Sequence, residues 1–334
     1  MTTMTKALAA LAALLWVGAA QAQTVTPQGR LTLTSATPVM TTDTTAATTV
    51  YYDCYAGNNV PVGSTPSNLT IPSCEVSMGL STSNVASGSV YDIFGVSNSG
   101  TLVICVGPAW SSTTARGTGA GTTQLDQTNG GLWTNENSLT HCYGGAAGTT
   151  DYGSVAAHAA TYLGSLYATA NGQTGMQFAP AAAAGGSNNV LALYNAYNRV
   201  LFHSLSRDNT SSWTYSTATW RAADNSNSNR INWLDGLIQS QVTASWQAFC
   251  GNQGGNNYSV GVNFDSTSAT PGGVVGDSYY SGSTSFSSIA GGNSTIALGW
   301  HYAQAMEDVQ GGTVTCDGVE NSAVLMGLSL FLMD

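Results

Sequence analysis

Lysine is almost missing from this chain. Lys6 is the only one in 334 residues, and Asp, Glu, Lys and Arg together make up 7% of the sequence, against about 25% in ordinary soluble domains. With six arginines and a formal net charge of −10, there is little from which to build a phosphate-binding groove. This excludes nucleic acid as an expected partner, and anionic membrane surfaces with it. Beyond residue 22 no apolar run reaches bilayer-spanning length, so no membrane insertion is expected of the mature chain. No two cysteines approach the C-x2-C spacing of a zinc site. His141, His158, His203 and His301 are too far apart in sequence to define a metal set, so no metal ligand is assigned. There is no Gly-x-Ser-x-Gly elbow. Gly276-Asp-Ser278 echoes one esterase block but has no adjacent base and orienting acid. No catalytic residue is assigned.

The missing charge is replaced by Thr, Ser, Asn and Gly, while the apolar fraction stays at an ordinary 43%. Such a chain is expected to fold, with a neutral hydroxyl- and amide-rich surface. Its first residues read as an export leader: Lys6, the apolar run Ala7 to Val17, then Ala20-Gln21-Ala22 as a signal peptidase site. Residues 1–22 are therefore expected to be a signal peptide, and the mature protein to be extracytoplasmic: secreted, or on a cell or virion surface. Six cysteines, Cys54, Cys74, Cys105, Cys142, Cys250 and Cys316, read as three disulfides in an exported chain. Fifteen connectivities are open, the simplest pairing neighbours, with free buried thiols as the alternative.

Short alternating strands dominate, as in Arg30-Leu-Thr-Leu-Thr-Ser35 and Glu75-Val-Ser-Met-Gly-Leu80. Thr101-Leu-Val-Ile-Cys-Val106 reads as more fully buried, and turn residues recur about every ten positions. The fold class is all-β. Length favours about two domains: a β-rich N-terminal one over 23–178, a connecting segment over 179–200 that opens with an Ala/Gly/Ser/Asn run, and a C-terminal sandwich over 201–334. Val190–Val200 and Ile231–Ser240 suit either a helix or a strand.

Glycosidase chemistry needs two carboxylates flanking the sugar bond. Glu75, Glu136, Asp151, Asp265, Glu307 and Asp308 are all available, and the sequence selects no pair. Asp224-Asn-Ser-Asn-Ser-Asn229 with Asp235 echoes a calcium loop but lacks its Gly at six and Glu at twelve, so a polar turn is the better reading and calcium stays a minor option; no other cofactor is expected. Aromatic faces among amide and hydroxyl groups suit neutral sugars. Trp110 and Trp133, next to turn-rich segments, are the expected exposed platforms, although tryptophan in a sandwich is more often core.

The strings Gly29-Arg-Leu-Thr-Leu-Thr-Ser35, Val50-Tyr-Tyr52, Tyr55-Ala-Gly-Asn-Asn-Val-Pro61, Gly107-Pro-Ala-Trp-Ser-Ser-Thr-Thr-Ala-Arg-Gly-Thr-Gly-Ala-Gly121, Gly131-Leu-Trp-Thr-Asn135 and Gly299-Trp-His-Tyr302 resemble a family of phage- and prophage-encoded, virion-associated proteins of tail-fibre type. The resemblance runs over roughly residues 27 to 334, and the Ala-Arg-Gly-Thr-Gly-Ala-Gly block is its most distinctive part. It implies a β-rich head, a jelly-roll-like C-terminal domain and a homo-oligomer, with a trimer as the natural order. It implies no catalytic residues. The leader and the six cysteines depart from the family pattern. The leading expectation is a non-enzymatic structural or adhesive surface protein of phage origin that binds host-surface glycans. The alternatives are a secreted monomeric carbohydrate-binding module and a polysaccharide hydrolase.

Overall fold

In the computed structural model the described residues are 26–334, apart from 64–66, 129–130, 240, 254–255, 274, 281–283, 296 and 319–325. The expected leader, 1–22, lies outside them. The described residues form 27 strands and two single 3-10 turns, with no α-helix among them. No helix there is long and apolar enough to cross a membrane.

Side-chain alternation sets this outcome. Along Thr243–Gln253 the side chains of Ala244, Trp246, Ala248 and Cys250 point into the core, while Thr243 and Gln247 point out, the two-residue period of a half-buried strand. Val90–Asn98 is different: its first seven residues are all buried. It lies inside an eight-stranded antiparallel sheet between Thr101–Ala109 and Thr161–Tyr167, and both faces of that sheet are covered. Tyr91 and Ile93 enter one apolar cluster, and Val90, Phe94 and Val96 enter another.

Beyond residue 200 two sheets make a sandwich. One contains Arg230–Asp235, Gly299–Val309, Asn256–Phe264 and Gly276–Tyr280; the other contains Leu201–Ser206, Gly327–Met333, Thr243–Gln253 and Thr313–Cys316. Trp246, Tyr258, Val260, Ala303, Val314 and Leu330 fill the space between them. The fold is thus all-β and sandwich-type.

The segment 179–200 is not simply a connector. Asn189–Leu191 pairs in parallel with Arg230–Asp235, and Leu193–Asn195 pairs with Thr161–Tyr167. Leu191, Leu193 and Tyr194 are buried. The reason is the apolar run Val190–Tyr194, which gives one stretch to each sheet across a break at Ala192. Thr44–Ala47, far upstream, pairs with Thr174–Met176 in the same sheet as Arg230–Asp235. A single apolar cluster accordingly includes Leu31 and Val50 as well as Trp246 and Leu330.

The cysteines pair as neighbours: Cys54–Cys74, Cys105–Cys142 and Cys250–Cys316. Three disulfides with no free thiol indicate an oxidising, extracytoplasmic environment. The loops closed by Cys54–Cys74 and Cys250–Cys316 span 20 and 66 residues. Chain entropy alone then assigns about 3 kcal/mol to the first and about 4 kcal/mol to the second. Urea denaturation of C54A/C74A and C250A/C316A is expected to show losses in that order. The reverse order would mean that native packing, not the unfolded chain, sets the contribution of these bridges.

Candidate functional site

The second apolar cluster lies where the N-terminal eight-stranded sheet meets the strands Arg230–Asp235 and Gly299–Val309. A loop crosses this junction, and it carries the Ala115–Gly121 block. Gly117, Gly119 and Gly121 have φ of +85°, +88° and +81°, a region in which only glycine is unstrained. The alternating glycines are therefore a backbone requirement of the loop.

Arg116 anchors it. Its Nε donates to Asp92 Oδ2 at 2.7 Å. Its Nη2 donates to Asp92 Oδ1 at 3.0 Å, to the Tyr162 hydroxyl at 3.2 Å and to the Gly236 carbonyl at 2.6 Å. The guanidinium carbon lies 4.3 Å from the Trp110 ring centroid and 5.2 Å from that of Tyr162. Asp92 also accepts from Ser165 at 2.7 Å. Burial works against the cation, but Asp92 and the neighbouring tyrosines outweigh it and hold Arg116 above the usual arginine range. Only arginine offers a planar fork that reaches two carboxylate oxygens and stacks on an aromatic face together. Gly236 is a close-approach glycine: a Cβ there would meet the Tyr162 hydroxyl and the Tyr194 ring at 2.3 Å.

Above this anchor lies a cavity of about 460 Å³. Ala115, Leu125, Trp133, Leu237, Ile238 and Leu298 give it apolar walls, and Thr114, Thr118, Gln124 and Gln239 add hydroxyl and amide groups. Among the described residues its one charged lining residue is Arg116, which is already committed to Asp92. Trp133 is held from behind, its backbone N–H donating to the Tyr197 hydroxyl at 2.9 Å. Alongside, Tyr167 and Trp300 stack in parallel at 3.9 Å. The cavity is thus preformed, uncharged and aromatic on one wall.

The sequence expectations divide here. Trp133 lines the cavity. Trp110 is not an exposed platform: it is 5% accessible and lies beneath Arg116, because the turn residues that follow it fold back over its ring. The clamp partners of Arg116 and the Leu237–Gln239 wall carry no local sequence signal. The one available signal was the Ala-Arg-Gly-Thr-Gly-Ala-Gly block, which stood out without a role.

The candidate carboxylates are spread out. Glu75 accepts from Ser35 and from the Ala36 N–H, Asp151 from His141 at 2.7 Å, and Asp265 from His301 at 2.7 Å. Glu307 is buried against Arg221, Trp213 and Tyr258. Asp308 accepts from Gln310. None of them lines the cavity, nor does Glu136. The Asp224–Asn229 segment is a turn. Asp224 accepts from Thr210, and Asn229 donates to Asp208 and to the Ala223 carbonyl. Asp235 sits away from it on a strand opposite Gly299, so the calcium-loop spacing does not close into a loop. Among the described residues no three His, Cys, Asp or Glu side chains gather as a metal site would need. The side chain of Ser278 is outside the described residues.

Asp235 is the titratable group beside the clamp. It is buried and its Oδ1 has no hydrogen-bond partner. Desolvation pushes its carboxyl up to about 7, against a smaller opposing effect from the Leu237 N–H. Nearby His301 loses solvation too, but both ring nitrogens face acceptors, Asp265 and the Leu298 carbonyl, and the net effect raises it. An unfolded aspartate titrates near 3.9. Between about pH 4 and pH 7 the folded state therefore holds a proton that the unfolded state has released, and stability falls as pH rises through that window. The carboxyls of Asp53 and Asp334, each pushed up to about 6 first of all by burial, act in the same direction. Urea melts are expected to show lower stability at pH 8 than at pH 5. D235N should remove a difference of about 2–3 kcal/mol between those two pH values. Equal pH slopes in the two proteins would exclude Asp235 as a source.

No family model matches the chain, and no curated protein matches it in sequence. Among solved structures it is similar to dimeric latent PorU from Porphyromonas gingivalis, at 11% identity and a TM-score of 0.24, over 75% of this chain and 24% of that one. It is also similar to the insecticidal delta-endotoxin Cry8Ea1 from Bacillus thuringiensis, at 8% identity and a TM-score of 0.22, over 91% of this chain and 51% of that one. At these TM-scores neither likeness lends a fold or a function to this chain.

Proposed function

We propose that this chain is a non-enzymatic adhesive surface protein of phage origin, secreted or displayed on a virion or cell surface, which assembles as a homo-oligomer and binds neutral glycans. The observation that carries the binding part is the cavity at Trp133. It is preformed, it has an aromatic wall beside amide and hydroxyl groups, and its cation is neutralised by Asp92. A sugar ring has one apolar face and a rim of hydroxyls, and that pattern matches a site with an aromatic wall and a few polar groups. Acidic sugars find no free counter-charge there. Among the described residues the lining contains no Asp or Glu, which disfavours a two-carboxylate hydrolase at this position. The family strings support the phage origin and an oligomer, with a trimer as the order they imply.

Screening a neutral and acidic glycan panel against the disulfide-intact protein tests the reading. Neutral glycans are expected to bind. Binding should weaken about 10-fold or more in W133A, the ~1.4 kcal/mol scale of one aromatic contact, while the thermal midpoint stays near that of the parent. Absence of glycan binding, or full binding by W133A, would overturn the assignment of this cavity.

A further inference from the structure

Gln124 lines the Trp133 cavity with half of its amide already used. Its Oε1 accepts from the Gly119 N–H at 3.0 Å and from Asn137 Nδ2 at 3.3 Å. A backbone N–H can only donate, so the Gly119 contact fixes which end of the amide is oxygen. The Nε2 group, with two N–H donors, is what the side chain still offers a ligand. The residue is also held through its backbone: the Glu136 N–H donates to its carbonyl at 2.8 Å. Gly119 belongs to the glycine-rich loop that Arg116 anchors, so the clamp and the donor are parts of one construction.

Most of the remaining lining is aliphatic: Ala115, Leu125, Leu237, Ile238 and Leu298. Ile238 is 66% exposed and belongs to neither apolar cluster, although isoleucine is among the residue types most often buried. It is apolar surface that the core does not use and that the cavity does.

A plain hexose matches these two features poorly. One face of its ring can lie on Trp133, but its rim is hydroxyl throughout. A hydroxyl pressed against an aliphatic wall gives up water and gains no partner. The better match joins a strong carbonyl acceptor to a small apolar end and adds no charge. An acetyl group is that combination: its oxygen suits the Gln124 donors and its methyl suits the aliphatic wall.

We propose that the cavity selects neutral sugars that carry an acetyl group, as an acetamido or an O-acetyl substituent, and that Gln124 reads the acetyl carbonyl. The inference rests on the neutral-glycan reading above and narrows it to a ligand class. Isothermal titration of the disulfide-intact protein tests it with tetramers of N-acetylglucosamine and N-acetylgalactosamine against tetramers of glucose and galactose. O-acetylated tetramers of the same two hexoses form a third arm, which distinguishes the two linkages. At least one acetylated tetramer is expected to bind about 10-fold or more tighter than its plain counterpart, since it alone pairs the donor and covers the wall. Q124E keeps an oxygen for Gly119 and Asn137 and exchanges only the donor for an acceptor, so the preference should disappear. I238S should reduce the preference about threefold or more, the scale of one buried methyl. It lies at an exposed position and carries the test if Q124E fails to fold, with the thermal midpoint as the check. Equal affinity within every pair, or a preference that survives both variants, would overturn this inference and leave the neutral-glycan reading in place. Binding of unacetylated neutral glycans alone would do the same. Binding of no neutral glycan at all would overturn both.

Discussion

A chain with so few charges must place each of them, and the arginines show how. Arg116 lies over Trp110 and Tyr162, Arg221 over Tyr215 at 3.7 Å, and Arg230 over Tyr302 at 4.2 Å; Arg30 lies between Tyr55 and Phe202. Two of these cations also hold a buried carboxylate, Arg116 with Asp92 and Arg221 with Glu307. Each clamp joins segments distant in sequence. Arg116 links residues 92, 162 and 236, and Arg30 donates to the carbonyls of Pro38, Asn198 and Asp334. Removing one partner of such a buried pair costs about 3–5 kcal/mol, because the other charge is left stranded. An aromatic face adds about 0.5–2 kcal/mol. In a chain whose short strands have weak local preferences, these clamps help to fix which sheet lies against which.

The cavity at Trp133 depends on one of them. The loop from Trp110 to Gly121 has almost no ladder of its own, with a single isolated bridge between Ser112 and Ala115. What fixes it is the Arg116 fork below and the Trp300 N–H donating to the Thr113 carbonyl at 2.9 Å at its edge. The Leu237–Gln239 wall is fixed from the same point, through the Gly236 carbonyl. A single side chain thus sets the distance between two walls whose anchor points, Arg116 and Gly236, are 120 residues apart in sequence.

The local part of this architecture was legible in the sequence. Alternation gave the strands of the sandwich, the continuous apolar run from Thr101 gave an interior strand, and an even cysteine count gave three bridges. Long-range pairing was not legible. Nothing around Arg116 announces that its partners lie 24 and 120 residues away, and nothing around Val190 shows that five residues will serve two sheets. The two tryptophans illustrate the same limit. Trp110 and Trp133 have similar turn-rich surroundings, yet one is roofed by a cation and the other walls a cavity, and only the tertiary path of the loop separates them.

The arginine clamps also bear on survival outside the cell. Trypsin-like proteases need a lysine or arginine side chain in an extended, accessible stretch of backbone. Past residue 6 this chain offers no lysine, and all six arginines are buried or half-buried. Four of the residues such enzymes would seek, Arg30, Arg116, Arg221 and Arg230, are the ones that hold the fold closed, so the native protein presents them with few places to begin.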